Sequence, residues 1–133
     1  MKKFNSILLI DDDFATNEFH KIIINHANVA EHIYAVESGE EALSYLISED
    51  STHVRPDLIF LDINMPAMNG FEFIEEYDKI QEDQKGKYLI VMLTSSLNPD
   101  DKERAEKNIH INNFLSKPLT KDNLLKLRDQ YLI

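Results

Sequence analysis

The stretch Leu58-Ile59-Phe60-Leu61-Asp62-Ile63-Asn64-Met65-Pro66-Ala67-Met68-Asn69-Gly70 decides how the chain is read. Its apolar run, Leu58 to Leu61, is short enough for a strand buried on both faces. The run stops on a carboxylate, Asp62, and is followed by Pro66, which cannot continue a central strand, and by the turn dipeptide Asn69-Gly70. A helical pattern carried by Phe71, Ile74 and Tyr77 comes next. Open α/β sheets bind ligands outside the carboxyl ends of their strands, so an acid at that point is a candidate functional group. Taken alone, Asp62 is equally a turn residue or a cap for the next helix. The rest of the chain separates these readings.

Upstream, Ser6 to Ile10 is a second short apolar run, and it too ends in acids, Asp11, Asp12 and Asp13. Ala15, Phe19, Ile22, Ile23 and His26 follow at helical spacing, which predicts a helix with that face inward. One of the three acids suits the helix cap, because a carboxylate satisfies free amides and complements the helix dipole. Three exceed what capping requires. His32 to Val36 reads as a second strand, and Ser38 precedes Gly39-Glu40-Glu41 as a helix start of capping-box type. Ala42, Leu43, Leu46 and Ile47 line one face of that helix.

Downstream, Tyr88 to Leu93 is the most hydrophobic run and ends in hydroxyls, Thr94, Ser95 and Ser96. Asn98-Pro99 opens a helix with a cap residue followed by proline at the first position. That helix, Asp100 to Asn108, is highly charged with almost no apolar stripe, which predicts the least firmly packed element. Ile111 to Leu115 is a fifth strand ending in Ser116-Lys117-Pro118, and a last helix starts near Thr120 with Leu124, Leu127 and Tyr131 on one side. The polar segments Ser48 to Pro56 and Gln81 to Lys87 read as solvated loops. Strands alternating with helices imply a parallel sheet covered on both faces, an α/β doubly wound fold. All strand C-termini then share one edge, where Asp11 to Asp13, Asp62, Thr94 with Ser95, and Lys117 converge.

Composition narrows the class. A chain of 133 residues fits one domain, here 1–133, and 43% hydrophobic with 29% charged residues is ordinary for a globular protein. A formal charge of −10 disfavours nonspecific binding to nucleic acid or anionic membrane. There is no cysteine, hence no disulfide, thiolate metal site or cysteine nucleophile, which fits a cytoplasmic protein. Three glycines, Gly39, Gly70 and Gly86, cannot build a glycine-rich phosphate cradle.

Clustered carboxylates repel and favour a cation, and all-oxygen ligation without His or Cys suits a hard ion such as Mg²⁺ rather than zinc. Lys117 could neutralise an anion beside the metal, and the Thr94 hydroxyl could hydrogen-bond one of its oxygens. A carboxylate nucleophile, a divalent ion, a lysine and a hydroxyl are the parts needed to form an aspartyl-phosphate. Asp62 is the natural nucleophile, being the single acid on the central strand.

At these residues the chain resembles the response-regulator receiver domains. The carrying motifs are Ile7-Leu8-Leu9-Ile10-Asp11-Asp12-Asp13, Leu61-Asp62-Ile63-Asn64-Met65-Pro66-Ala67-Met68-Asn69-Gly70, Leu93-Thr94-Ser95-Ser96 and Leu115-Ser116-Lys117-Pro118. Each is weak singly; in order at successive strand ends they are specific. The resemblance covers essentially the whole chain and implies a flavodoxin-like, five-stranded parallel sheet of order 2-1-3-4-5 with five helices in a three-layer sandwich. It further implies Asp62 as phosphoacceptor, Asp11 and Asp12 as the Mg²⁺-binding pair, and Asn64 as a ligand through its backbone carbonyl. Thr94 is then the switch hydroxyl with Ser95 beside the phosphoryl group, Lys117 the phosphoryl-contacting lysine in a cis Lys117–Pro118 bond, and Phe114 the reorienting aromatic. The implied function is a phosphorelay switch. A sensor histidine kinase or a histidine phosphotransfer protein would donate phosphoryl, and a downstream protein would read the change, with no output domain in this chain and a monomer or weak dimer expected. A dehalogenase-type phosphatase shares the aspartyl nucleophile, Mg²⁺ and lysine, but needs a second acid two residues on, where Asn64 stands. Flavin binding on the same fold lacks its phosphate loop.

Overall fold

In the computed structural model, residues 2–48, 54–85, 89–95 and 98–132 are described. Five strands alternate with five helices: β1 (Phe4–Ile10), α1 (Phe14–Ala27), β2 (Ala30–Val36), α2 (Gly39–Ile47), β3 (Leu58–Asp62), α3 (Gly70–Lys79), β4 (Leu89–Thr94), α4 (Pro99–Glu106), β5 (Ile111–Ser116) and α5 (Lys121–Tyr131). A single 3₁₀ turn, Glu82–Gln84, lies within the segment expected to be loop. The strands form one parallel sheet in the order β2-β1-β3-β4-β5, as anticipated. Tyr88, expected to open the fourth strand, and much of Ser48–Pro56, with Gly86 and Lys87, lie outside the described residues.

The alternation of side chains along buried strands builds two cores. Ile59 and Leu61 of β3 face one layer with Leu8, Ile10 and Met92, under Ala42 and Leu46 of α2 and Phe71 and Ile74 of α3. Leu58 and Phe60 face the other with Ile7, Leu9 and Val91, under Ile24 of α1 and Leu124 and Leu127 of α5. Every residue of β3 is buried, which places Asp62 at the end of a strand enclosed on all sides.

Caps follow from local chemistry. Asp13 accepts the Ala15 amide at 3.0 Å and the Thr16 hydroxyl at 3.0 Å, so one of the three acids is a cap. Ser38 accepts the Glu41 amide at 3.0 Å, and Asn98 caps α4 ahead of Pro99. Asn69-Gly70 is more than a turn: Asn69 caps α3 in a reciprocal box with Glu72, and Gly70 is the first helical residue. A Cβ on Gly70 would stand 2.7 Å from the Asp62 carbonyl oxygen and 3.0 Å from the Ile63 Cα. The absent side chain lets α3 start directly against the backbone of the candidate nucleophile.

Two expectations about helices have different outcomes. Among its described residues α4 buries only Ala105, in keeping with its charged sequence, although it ends at Glu106 rather than Asn108. The inward face of α1 is not the expected one. Its buried residues are Asn17, His20, Ile24 and Ala27; of the expected set only Ile23 packs against the core, partly buried, whereas Phe19 and Ile22 are 45% and 64% exposed and Ala15 and His26 are also exposed, as is Phe14 at 61%. The polar pair wins because each finds a buried backbone partner. The Asn17 amide donates to the carbonyls of Asp11 (2.9 Å) and Val36 (3.3 Å), and His20 accepts the Leu119 amide (3.3 Å).

Candidate functional site

Between β1 and β3 the chain winds outward in opposite directions, and the crevice at such a reversal is where open α/β sheets hold ligands. Both strands end there in acid. Asp62 closes β3 at 5% exposure, and Asp11 follows β1, equally buried; Asp12 is exposed at the rim. One carboxylate oxygen from each of Asp11, Asp12 and Asp62 lies within 4.8 Å of the others. Asn17 fixes this geometry from α1 by bridging the backbone of Asp11 to that of Val36 in β2. The Asp13 amide donates to Asp11 Oδ1 at 2.9 Å, orienting that carboxylate further.

Lys117 enters from the end of β5. Its Nζ stands 2.5 Å from Asp11 Oδ2 and 3.0 Å from Asp62 Oδ1, so one ammonium bridges two buried carboxylates. Its amide donates to the Thr94 carbonyl at 2.7 Å, tying the loop to the end of β4. The Lys117–Pro118 peptide bond is cis. The resulting pocket, ≈ 670 Å³, is lined by Asp11, Asp12, Asp62, Asn64, Ser95 and Lys117 among others.

Electrostatics divides the groups. Burial pushes the Asp62 carboxyl up to about 6; the Lys117 hydrogen bond pulls it back, and the charges on Asp11 and Asp12 add to the rise. Desolvation therefore outranks like-charge repulsion as the cause. Burial works against the Lys117 ammonium, but its hydrogen bonds to Asp11 and Asp62 outweigh that and leave its pKa raised. The Thr16 hydroxyl holds Asp13 below the usual carboxylate range, as suits a permanently charged cap. Asp62 is thus a largely buried carboxylate that is mostly ionised at neutral pH, held beside a cation.

The donor set fits a hard divalent ion. Among the described residues the group that could hold an ion is Asp11, Asp12 and Asp62, three carboxylates offering one oxygen each, and His20, which lines the same pocket, is not one of its members. Asp11, Asp12 and Asp62 are the residues that would hold such an ion.

Of the residues singled out from sequence, Asp11, Asp12, Asp62, Asn64, Ser95 and Lys117 share the pocket. Thr94 is buried at the end of β4, and its side chain is not among those lining the pocket. Phe114 lies elsewhere. It is half-buried on β5 and lines two clefts with α4 residues, one of ≈ 380 Å³ with Lys102 and Ala105, the other with Asn98, Pro99 and Lys102. Asn17 and His20 were missed by sequence reasoning. Their signal was the 17, 20, 24, 27 spacing shared with Ile24 and Ala27, hidden because two of the four residues are polar.

Known proteins share this sequence pattern and fold. The model of the response regulator receiver domain matches residues 7–128. Response regulator Rcp1 from Synechocystis is 30% identical over 123 residues, covering 91% of this chain and 82% of that protein. A two-component response regulator from Cytophaga hutchinsonii superposes with a TM-score of 0.88 at 36% identity, covering 97% of each chain. The phosphorylated cyanobacterial phytochrome response regulator RcpA gives 0.75 at 26% identity, over 96% of this chain and 94% of that one. Sheet order, the acids ending β1 and β3, the lysine ending β5 and a match from β1 into α5 agree on one conclusion: the chain belongs to the response regulator receiver domains of two-component systems.

Proposed function

We propose that the chain is a phosphoacceptor switch whose nucleophile is Asp62. The observation that carries this reading is Lys117, whose ammonium joins the carboxylates of Asp11 and Asp62 beside Asp12. An Asp62 carboxylate oxygen attacks the phosphorus of a phosphohistidine or of a small acyl phosphate. The P–N or P–O bond to the donor breaks, its electron pair leaves with the donor, and an aspartyl-phosphate results. Asp11, Asp12 and Asp62, with the Asn64 backbone carbonyl, would hold Mg²⁺. When bound, that ion supplies charge neutralisation for the carboxylates and the phosphoryl oxygens. Lys117 balances the charge delivered to Asp62, Ser95 contacts a phosphoryl oxygen from the pocket wall, and Thr94, buried behind that wall, turns its hydroxyl toward another once the group is in place. Phe114, packed between β5 and α4, relays the change to the thinly anchored α4. The chain signals by binding a downstream protein, takes one phosphoryl group per molecule rather than turning over substrate, and works in the cytoplasm as a monomer or weak dimer.

Likeness to a receiver crystallised in phosphorylated form supports the reading. Incubation with acetyl phosphate and Mg²⁺ tests it. Uptake of one phosphoryl group, blocked by EDTA, is expected; sustained phosphate release from small phosphomonoesters would instead make the chain a phosphatase.

The phosphodonor is a protein, a sensor histidine kinase or a histidine phosphotransfer protein, and the exposed face of α1 supports this. Phe14, Phe19 and Ile22 are large apolar side chains left uncovered, and Phe19 also lines the pocket of Asp62. Exposed apolar side chains on the helix that borders a reactive site suit docking of the partner that brings the reactant. Ile22→Asp should slow phosphotransfer from the protein donor about tenfold or more, the scale of one interface anchor. Uptake from acetyl phosphate, which needs no docking, should stay at the wild-type rate. Equal slowing with both donors would remove α1 from the interface.

A further inference from the structure

Lys117 sits in the turn between β5 and α5, and its reach to two carboxylates depends on where that turn is held. One anchor is the Lys117 amide on the Thr94 carbonyl. The second comes from α1. The Leu119 amide donates to His20 Nε2 at 3.3 Å, in a fully buried contact. An accepting Nε2 bears no proton, so the ring is the neutral tautomer with its proton on Nδ1. Burial favours that neutral state by lowering the imidazole pKa, with Asp11 opposing and Lys117 reinforcing. The His20 ring also forms part of the pocket wall beside Lys117 and Pro118, while Leu119 is buried in the same core as Ile24 of α1.

We propose that His20 is a positioning residue: its neutral imidazole pins the 117–119 turn to α1 and thereby aims the Lys117 ammonium at Asp11 and Asp62. The same imidazole could merely fill space, and a hydrogen-bond acceptor can be separated from a space-filler by substitution. This inference rests on Asp62 as phosphoacceptor, so one arm of its test does not involve phosphorylation.

In the intact chain at neutral pH, ¹⁵N spectra of the His20 ring should show one protonated nitrogen, Nδ1. Nε2 should be unprotonated and coupled to the Leu119 amide. An imidazolium, or a proton on Nε2, would overturn the proposal whatever the phosphorylation results. In saturation kinetics with acetyl phosphate and Mg²⁺, His20→Leu keeps apolar bulk but removes the acceptor. Its maximal rate of phosphoryl uptake should fall about tenfold, the scale of one buried hydrogen bond, with half-saturating donor unchanged. His20→Gln places a carbonyl oxygen near the position of Nε2 and should recover the rate to within about twofold. Equal slowing by Leu and Gln, or a wild-type rate in His20→Leu, would reduce His20 to a packing residue. Expected spectra with no phosphoryl uptake in wild type would instead sink the phosphoacceptor reading and leave the His20–Leu119 contact standing.

Discussion

Asp62→Asn should take up no phosphoryl group from acetyl phosphate and should, without metal, be more stable than wild type above pH 6. The first effect is complete loss, because an amide is not a nucleophile at phosphorus and no second acid occupies the end of β3. The second follows from the raised pKa. The Asp62 carboxyl has moved from 3.8 to about 6, chiefly through burial, so the folded protein holds its proton more tightly than the unfolded chain. Its contribution is therefore fully present below the unfolded pKa and is lost as pH rises through the folded one. A shift of this size corresponds to roughly 3 kcal/mol between the protonated and ionised limits. Asparagine is neutral throughout and avoids that loss, at the expense of one ion pair to Lys117, so a net gain of about 1–3 kcal/mol is expected at pH 7.5. Urea melts in EDTA across pH 4 to 8, a range of roughly two units either side of the folded pKa, measure it. The two stability curves should converge near the acid end. A variant that is less stable at every pH would mean that the Lys117 pair outweighs desolvation.

Lys117→Met should slow phosphorylation about a hundredfold or more while tightening Mg²⁺ binding. The ammonium supplies positive charge beside the reacting oxygen, and removing one such group typically costs about 10²–10³ in rate. The same ammonium stands against Asp11 Oδ2 and Asp62 Oδ1, on two of the three carboxylates that could hold a metal. Deleting it leaves both carboxylates uncompensated and more receptive to a divalent cation. Calorimetric Mg²⁺ titration alongside a phosphorylation time course separates the two consequences. In EDTA the variant should be destabilised at pH 7.5 and less so at pH 5. Without Lys117 the Asp62 pKa rises further, and the associated stability is lost as pH climbs through that higher value. Slower phosphorylation with weaker Mg²⁺ binding would point to collapse of the site rather than to removal of a charge.

The fold was legible because its central strands are unambiguous. Runs such as Leu58 to Leu61 and Ser6 to Ile10 are too short for helices and too apolar for a surface, and a parallel sheet follows from their alternation with helical segments. The site was legible because its groups sit at strand ends, which parallel order gathers on one edge. What sequence could not yield were contacts whose energy comes from distant backbone. Asn17 and His20 look like surface residues until the carbonyl of Val36 and the amide of Leu119 appear beside them. The same substitution of polar for apolar turned Phe19 and Ile22 outward. Clustered carboxylates repel, yet burial is the larger cause of the raised Asp62 pKa, and burial is read from the packed fold rather than from the order of residues. The need for glycine at position 70 likewise emerges only once α3 is seen against the Asp62 carbonyl.

The central claim is that Asp62 itself accepts the phosphoryl group, and site mapping tests it most directly. The chain is incubated with acetyl phosphate and Mg²⁺, reduced with borohydride to trap the acyl phosphate as homoserine, digested and sequenced by mass spectrometry. Conversion confined to position 62, absent with EDTA, is the expected result. Conversion at Asp11 or Asp12, or phosphoryl uptake that leaves position 62 unmodified, would contradict the account.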